Sequence, residues 1–230
     1  MERFEFRKID NGFFSIEQDG VRSFMLLDDK YVLLIDSGRG GNNLFRQVRE
    51  HSHLPVKMIY THADVDHTGD ADDFPIRFMH PSEFDYYESK NEAPVTMQPI
   101  WEGDKVTVGD YHFEVVLIPG HTPGSIALLD RKHRIMIGGD SLQPGPIYMF
   151  GPGRNFNAYH ASMLKMQEMI KDIDWIYPSH HDLRVPATIV NQLLAGAEKM
   201  LAGEVEGEPV ERFNGRAKVY HTDGVAFLAK

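Results

Sequence analysis

The chain has 230 residues, 42% hydrophobic and 25% charged, with no cysteine and a formal net charge of −10 from 24 Lys+Arg against 34 Asp+Glu. This composition excludes disordered and collagen-like classes, and a chain this long removes roughly 70% of its unfolded surface from water, so one domain over residues 1–230 is the economical expectation. The missing cysteines exclude disulfide frameworks, thiolate metal sites and a cysteine nucleophile, leaving His and carboxylates for any metal chemistry, while the acidic balance disfavours nucleic acid as a partner.

Along the chain, Phe13 to Ile16, Ser23 to Leu27 and Tyr31 to Ile35 are short β-rich runs separated by Asp-Gly and Asp-Asp-Lys turns, which predicts an antiparallel meander. A helix is expected from about Asn42 to His51, then a buried strand from Lys57 to Tyr60 that runs into a polar loop. Pro81 to Glu88 reads as a helix, and Tyr111 to Ile118, Ser125 to Leu129 and Arg134 to Ile137 read as three consecutive strands. A helix from about Tyr159 to Lys171, a strand at Trp175 to Tyr177, a helix from Pro186 to Leu201 and a β-rich tail complete the pattern. Gly203 to Pro209 is the most linker-like stretch, and no tandem repeat interrupts the chain. The opening MERFEFRKID lacks an uninterrupted apolar segment and no run approaches 18 apolar residues, so the expectation is a cytoplasmic protein without a membrane partner.

The chemistry concentrates after the strand that ends at Tyr60. Thr61 to Asp70 reads T-H-A-D-V-D-H-T-G-D and packs His62, Asp64, Asp66 and His67 into six residues. In an extended segment His62 and Asp64 point to the same side and can meet one ion, with Asp66 and His67 available to a second. Such carboxylates and imidazoles converge poorly without a cation, because like charges in low dielectric repel. Three further segments place His or Asp beside Gly or Pro at a strand end: Ile118 to Ser125 (I-P-G-H-T-P-G-S), Ile137 to Ser141 (I-G-G-D-S) and Tyr177 to His181 (Y-P-S-H-H).

In order and spacing these segments resemble the metallo-β-lactamase superfamily pattern T-H-x-H-x-D-H, P-G-H-T-P-G-S, G-D and G-H, and in particular its glyoxalase II and lactonase-like binuclear hydrolases. Leu34 to Gly38 and the Asn157 to Leu164 segment are similar to family elements outside the site. The resemblance implies an α/β fold, the four-layer αββα metallo-β-lactamase sandwich, and two divalent ions, zinc foremost, with iron or manganese as alternatives. Carried over residue by residue, it puts His62, Asp64 and His121 on the first ion, Asp66, His67 and His180 on the second, and Asp140 between them. His181 is then an outer-shell or substrate-facing residue, a role it could exchange with His180. Asp64 stands where the family usually has its second histidine, and a carboxylate there is harder than imidazole. Flavodiiron proteins also carry a carboxylate at that position, as Glu, but this chain has no room for their flavodoxin domain.

The implied reaction is hydrolysis of a small ester, thioester or lactone carbonyl by a metal-bridged hydroxide, with Asp66 orienting the nucleophile. The segment from Gln143 to Arg154 is rich in Gly, Pro and apolar groups and lines the expected pocket mouth, with Tyr148 and Arg154 as candidate substrate contacts. A non-heme di-iron redox or oxygen-binding protein is the competing expectation, motivated by Asp64, and a metal-binding sensor or scaffold is a third. The partner is a small-molecule substrate; oligomeric state is left open.

Overall fold

Aromatic and β-branched runs broken by Asp-Gly and Asn-Gly turns favour an antiparallel ladder at the start of the chain. The computed structural model describes residues 4–71, 74–90, 97–211 and 217–230. Strands β1 (Glu5–Asp10), β2 (Phe13–Gln18), β3 (Val21–Leu27) and β4 (Val32–Ile35) pair as antiparallel neighbours in chain order. Strand β1 carries no clear sequence signal because it is a charged edge strand whose register shifts between Lys8 and Asp10, which interrupts the alternation.

Helix α1 (Leu44–His51) follows, capped by the Asn43 side chain accepting from Arg46 N–H, and it buries Leu44 and Val48, one turn apart. It leads into β5 (Val56–Ile59), which lies parallel to β4, and β6 (Arg77–Met79) and β7 (Gln98–Pro99) extend the sheet in parallel. A 3-10 turn at Pro81–Glu83 and the short helix α2 (Phe84–Glu88) connect β6 to β7. One core gathers Met25, Leu34, Val48, Met58, Tyr60, Phe74 and Tyr87. A hairpin of β8 (Lys105–Val108) and β9 (Tyr111–Leu117) closes this half.

The chain divides into two compact units, Met1–Val115 and Val116–Lys230, with the boundary inside β9. In the second unit the sheet runs from the end of β9 through β10 (Ile126–Asp130), β11 (Ile135–Gly139) and β13 (Trp175–Pro178) to β14 (Val185–Pro186). A four-stranded sheet has the order β12 (Ile147–Tyr148), β17 (Ala226–Ala229), β16 (Lys218–His221), β15 (Gly207–Pro209). Helices α3 (Phe156–Met169) and α4 (Ile189–Ala202) pack on each other and share a core with Ile118, Leu129, Ile176 and Phe227.

Among the boundaries that differ from the sequence expectation, three have a clear local cause. Helix α3 starts three residues before Tyr159, because Asn155 accepts from Ala158 N–H and caps it there. Helix α4 starts at Ile189 rather than Pro186, since Val185 and Pro186 pair with β13. The linker-like Gly203 to Pro209 is a left-handed helix cap at Gly203 followed by strand β15.

Asp36 and several candidate ligands sit just past the carboxyl ends of parallel strands, where a strand's last hydrogen bonds give way to loop backbone. Asp36 follows β4 and His62 follows β5, while Asp140 follows β11 and His180 follows β13. Gly120, directly before His121, has φ +137° and would bring a Cβ within 2.4 Å of the Tyr159 backbone on α3. That contact is backbone against backbone and cannot be relieved by a rotamer. Gly120→Ala is therefore expected to cost more than about 2 kcal/mol of stability, read as a lower urea midpoint at unchanged slope; a midpoint equal to wild type would show that α3 is free to shift.

Candidate metal centre

Asp36 organises the candidate residues of the first unit. Its backbone is left-handed, φ +60°, a conformation Asp tolerates better than most residues, and its side chain is 1% exposed. Oδ1 accepts from Thr61 N–H at 2.7 Å; Oδ2 accepts from the Thr61 hydroxyl at 2.7 Å and from His67 Nδ1 at 2.9 Å. Because the Thr61 proton is committed to Asp36, its oxygen accepts from His62 Nδ1, 3.0 Å away. One buried carboxylate thus sets the tautomer of two histidines, His62 through Thr61 and His67 directly, and gives each Nε2 the lone pair a metal would need.

The carboxyl-terminal end of the loop carrying these residues is tied to the turn after β4. Ser37 N–H donates to the His67 carbonyl at 2.8 Å and Gly69 N–H to the Gly38 carbonyl at 2.9 Å, while the Ser37 hydroxyl also reaches Gly69. Gly69 packs so closely that a Cβ there would lie 2.1 Å from Gly40 N. The buried Glu83 accepts from Ala63 N–H at 2.8 Å and fixes the middle of the motif. Burial raises the pKa of Tyr60, with Tyr87 adding to the effect, so the phenol beside Thr61 stays protonated.

The two motif aspartates are each engaged on both oxygens. Asp64 Oδ2 lies 3.6 Å from His62 Nε2, and its Oδ1 accepts from the Tyr86 hydroxyl at 2.7 Å with Lys90 Nζ 3.7 Å away. Asp66 Oδ1 lies 3.8 Å from His67 Nε2, and its Oδ2 lies 3.4 Å from Arg39. Each carboxylate therefore offers one oxygen beside a histidine Nε2 and gives the other to a cation.

In the second unit, His121 Nδ1 donates to the Tyr148 carbonyl at 2.8 Å, which again leaves the lone pair on Nε2. Asp140 Oδ2 lies 3.9 Å from His121 Nε2 and 3.3 Å from His180 Nε2, so the structure brings these three together. Burial raises the pKa of Tyr159 well above its usual value, and its neutral hydroxyl donates to the Ser141 carbonyl at 2.8 Å beside Asp140. His181 is exposed with φ +64°, its ring 6.4 Å from that of His180. The Tyr148 ring packs on Phe150 at 5.6 Å, and Arg154 donates to the Pro152 carbonyl at 3.2 Å.

The donor set fits divalent metal. All-nitrogen-and-oxygen donors, Nδ1 atoms of His62, His67 and His121 held by oxygen acceptors, and carboxylate oxygens beside the Nε2 atoms are the arrangement expected of supported ligands. The sequence places Asp36 only in a strand and turn and gives no individual role to Thr61, Glu83, Tyr86, Lys90 or Arg39. The signal for Asp36 was a lone acid closing an otherwise apolar strand; the others lie too far along the chain to be tied to the motif without the fold.

Residues 17–180 match the Metallo-beta-lactamase superfamily. An acyl-coenzyme A thioesterase of Gallus gallus, MBLAC2, is 25% identical over 228 residues, covering 80% of this chain and 82% of the relative. A hydroxyacylglutathione hydrolase of Bdellovibrio bacteriovorus is 29% identical over 154 residues, covering 65% of this chain and 58% of the relative. Among solved structures, a metallo-β-lactamase from Pontibacter korlensis superposes with a TM-score of 0.71 at 15% identity over 85% of this chain and 99% of its own. That likeness establishes the fold class, an α/β sandwich of the αββα kind expected from sequence.

Asp36→Asn keeps the shape but cannot accept from both Thr61 and His67 through one oxygen with the same strength. It is expected to weaken zinc binding about 10–100-fold, measured by competition with a chromophoric chelator, and Thr61→Val, which removes the acceptor for His62 Nδ1 and one of the three donors to Asp36, is expected to weaken it as well. Wild-type affinity in Asp36→Asn would remove the keystone role.

Proposed function

Because this chain belongs to the metallo-β-lactamase superfamily, we propose that it is a binuclear metal-dependent hydrolase of small thioesters, with esters and lactones as related substrates. The observation that carries the reading is the Asp36 network, which holds His62 and His67 in the tautomer that ligands require. The relatives' names point to the substrate class, since acyl-coenzyme A and hydroxyacylglutathione are both thioesters. In this reading His62, Asp64 and His121 would hold one ion, Asp66, His67 and His180 the other, and Asp140 would be available to both; zinc suits these nitrogen and oxygen donors. The 1–230 chain acts as one domain.

When bound, the ions supply Lewis acidity and lower the pKa of water toward neutrality. The chain's own residues do the rest. Asp66, steadied by Arg39 on its outer oxygen, orients the attacking water and holds its proton. His121 is kept in place through the Tyr148 carbonyl. Arg154 and His181 are assigned to an anionic group of the substrate, and the Tyr148 hydroxyl to its carbonyl oxygen. The exposed Val65, inside the ligand motif, offers an apolar contact to an acyl group.

The test is a panel of S-lactoylglutathione, acyl-coenzyme A esters of several lengths, simple esters and lactones, assayed on protein as purified, stripped with chelator and reloaded with zinc. Thioester hydrolysis that disappears on stripping and returns on reloading is the expected result. Asp66→Ala should lower kcat by about 100-fold or more and weaken retention of the ion that Asp66 would share with His67 and His180. Undiminished turnover by metal-free protein would sink the reading.

A further inference from the structure

Asp64 is where the chain departs from a His-x-His motif, and its surroundings suit a carboxylate rather than an imidazole. Its side chain is 13% exposed. The Tyr86 hydroxyl donates to Oδ1 at 2.7 Å, and Lys90 Nζ stands 3.7 Å from the same oxygen. Tyr86 and Lys90 are four residues apart on α2 and the turn that continues it, where Ser89 and Lys90 N–H groups donate to the Asp85 and Tyr87 carbonyls. That spacing also sets the ammonium over the Tyr86 ring, 3.6 Å from its centroid. The inner oxygen, Oδ2, is the one beside His62 Nε2.

We propose that Tyr86 and Lys90 are positioning residues that make Asp64 a one-oxygen, charge-compensated metal ligand, equivalent at that position to a neutral imidazole. The proposal rests on the metal-dependent reading above. A bare carboxylate differs from imidazole in two ways: it adds a negative charge, and it has a second oxygen able to join the same ion. Both differences favour hard ions that take more oxygen ligands, such as manganese, over four-coordinate zinc. Lys90 offsets the charge, and Tyr86 occupies the second oxygen with an O–H donor. The two side chains together remove both differences, so the missing histidine need not change the metal.

The experiment measures zinc and manganese dissociation constants on the full chain by chelator competition, alongside melting curves. The variants are Lys90→Met, Lys90→Arg, Tyr86→Phe, Asp64→His and Asp64→His with Lys90→Met. The preference for zinc over manganese is expected to fall about tenfold in Lys90→Met, by less in Tyr86→Phe, and to stay within about twofold in Lys90→Arg. In the Asp64→His background, Lys90→Met should leave the preference where it was, because the carboxylate through which Lys90 acts is gone. Tyr86→Phe preserves the ring and its packing, so it reads the same ratio if Lys90→Met fails to fold. A ratio unmoved by both single variants, in protein that still binds metal, overturns the clamp and leaves the hydrolase reading standing. An equal fall in the Asp64→His background also overturns it, since Lys90 would then act without Asp64. Wild-type protein that binds neither ion overturns both.

Discussion

A single buried carboxylate, Asp36, supports more of the candidate site than any one candidate ligand does. Removing an ionised carboxylate from water costs several kcal/mol unless its oxygens are satisfied. Three donors converge on it, Thr61 N–H, Thr61 Oγ and His67 Nδ1, and each charge-assisted bond returns about 1.5–3 kcal/mol. The sum is of the order of the desolvation cost, so the buried charge is sustainable only while all three donors stay in place. The dependence runs the other way as well: His62 and His67 keep their Nε2 lone pairs presented only while Asp36 accepts. The left-handed backbone at Asp36 is part of the same constraint, since it turns the chain at the end of β4 so that the side chain meets Thr61 beyond the neighbouring parallel strand.

The motif carboxylates follow a shared plan. Asp64 and Asp66 each keep one oxygen near a histidine Nε2 and hand the other to a cation, Lys90 and Arg39 respectively. A chain with net charge −10 thereby avoids piling uncompensated negative charge into one loop. Asp140 differs: a single oxygen of it faces both His121 and His180. A residue that must serve two neighbours gains from symmetric surroundings, whereas one that serves a single neighbour gains from having its spare oxygen restrained.

Close backbone contacts, rather than long hydrogen-bonded elements, hold the loops that carry these groups. Gly40 against Gly69 and Gly120 against Tyr159 leave no room for a Cβ, and the ligand residues sit one or a few positions away. Strands end within a few residues of His62, His121, Asp140 and His180, and loops held by such contacts begin there. This is how an α/β scaffold can vary its surface loops for substrate while keeping its polar centre constant.

The linear sequence carried the fold class through its resemblance to a known family, and local signals (apolar runs, Gly and Pro turns, four donors within six residues) gave the strand-end location of the candidate ligands. It also showed that Asp64 was an exception, but not how the exception is accommodated. Tertiary structure alone decided that Asp36, 25 residues before Thr61, governs two histidines, and that Tyr86 and Lys90, more than 20 residues after Asp64, take up its outer oxygen. It likewise showed that β1 and β15 are strands and that α3 starts at an Asn cap. The physical reason is the same throughout. Which residues can ligate is a property of side-chain chemistry and is written locally, whereas tautomer, charge compensation and the choice of one carboxylate oxygen over the other are set by neighbours that only chain folding brings within hydrogen-bonding distance.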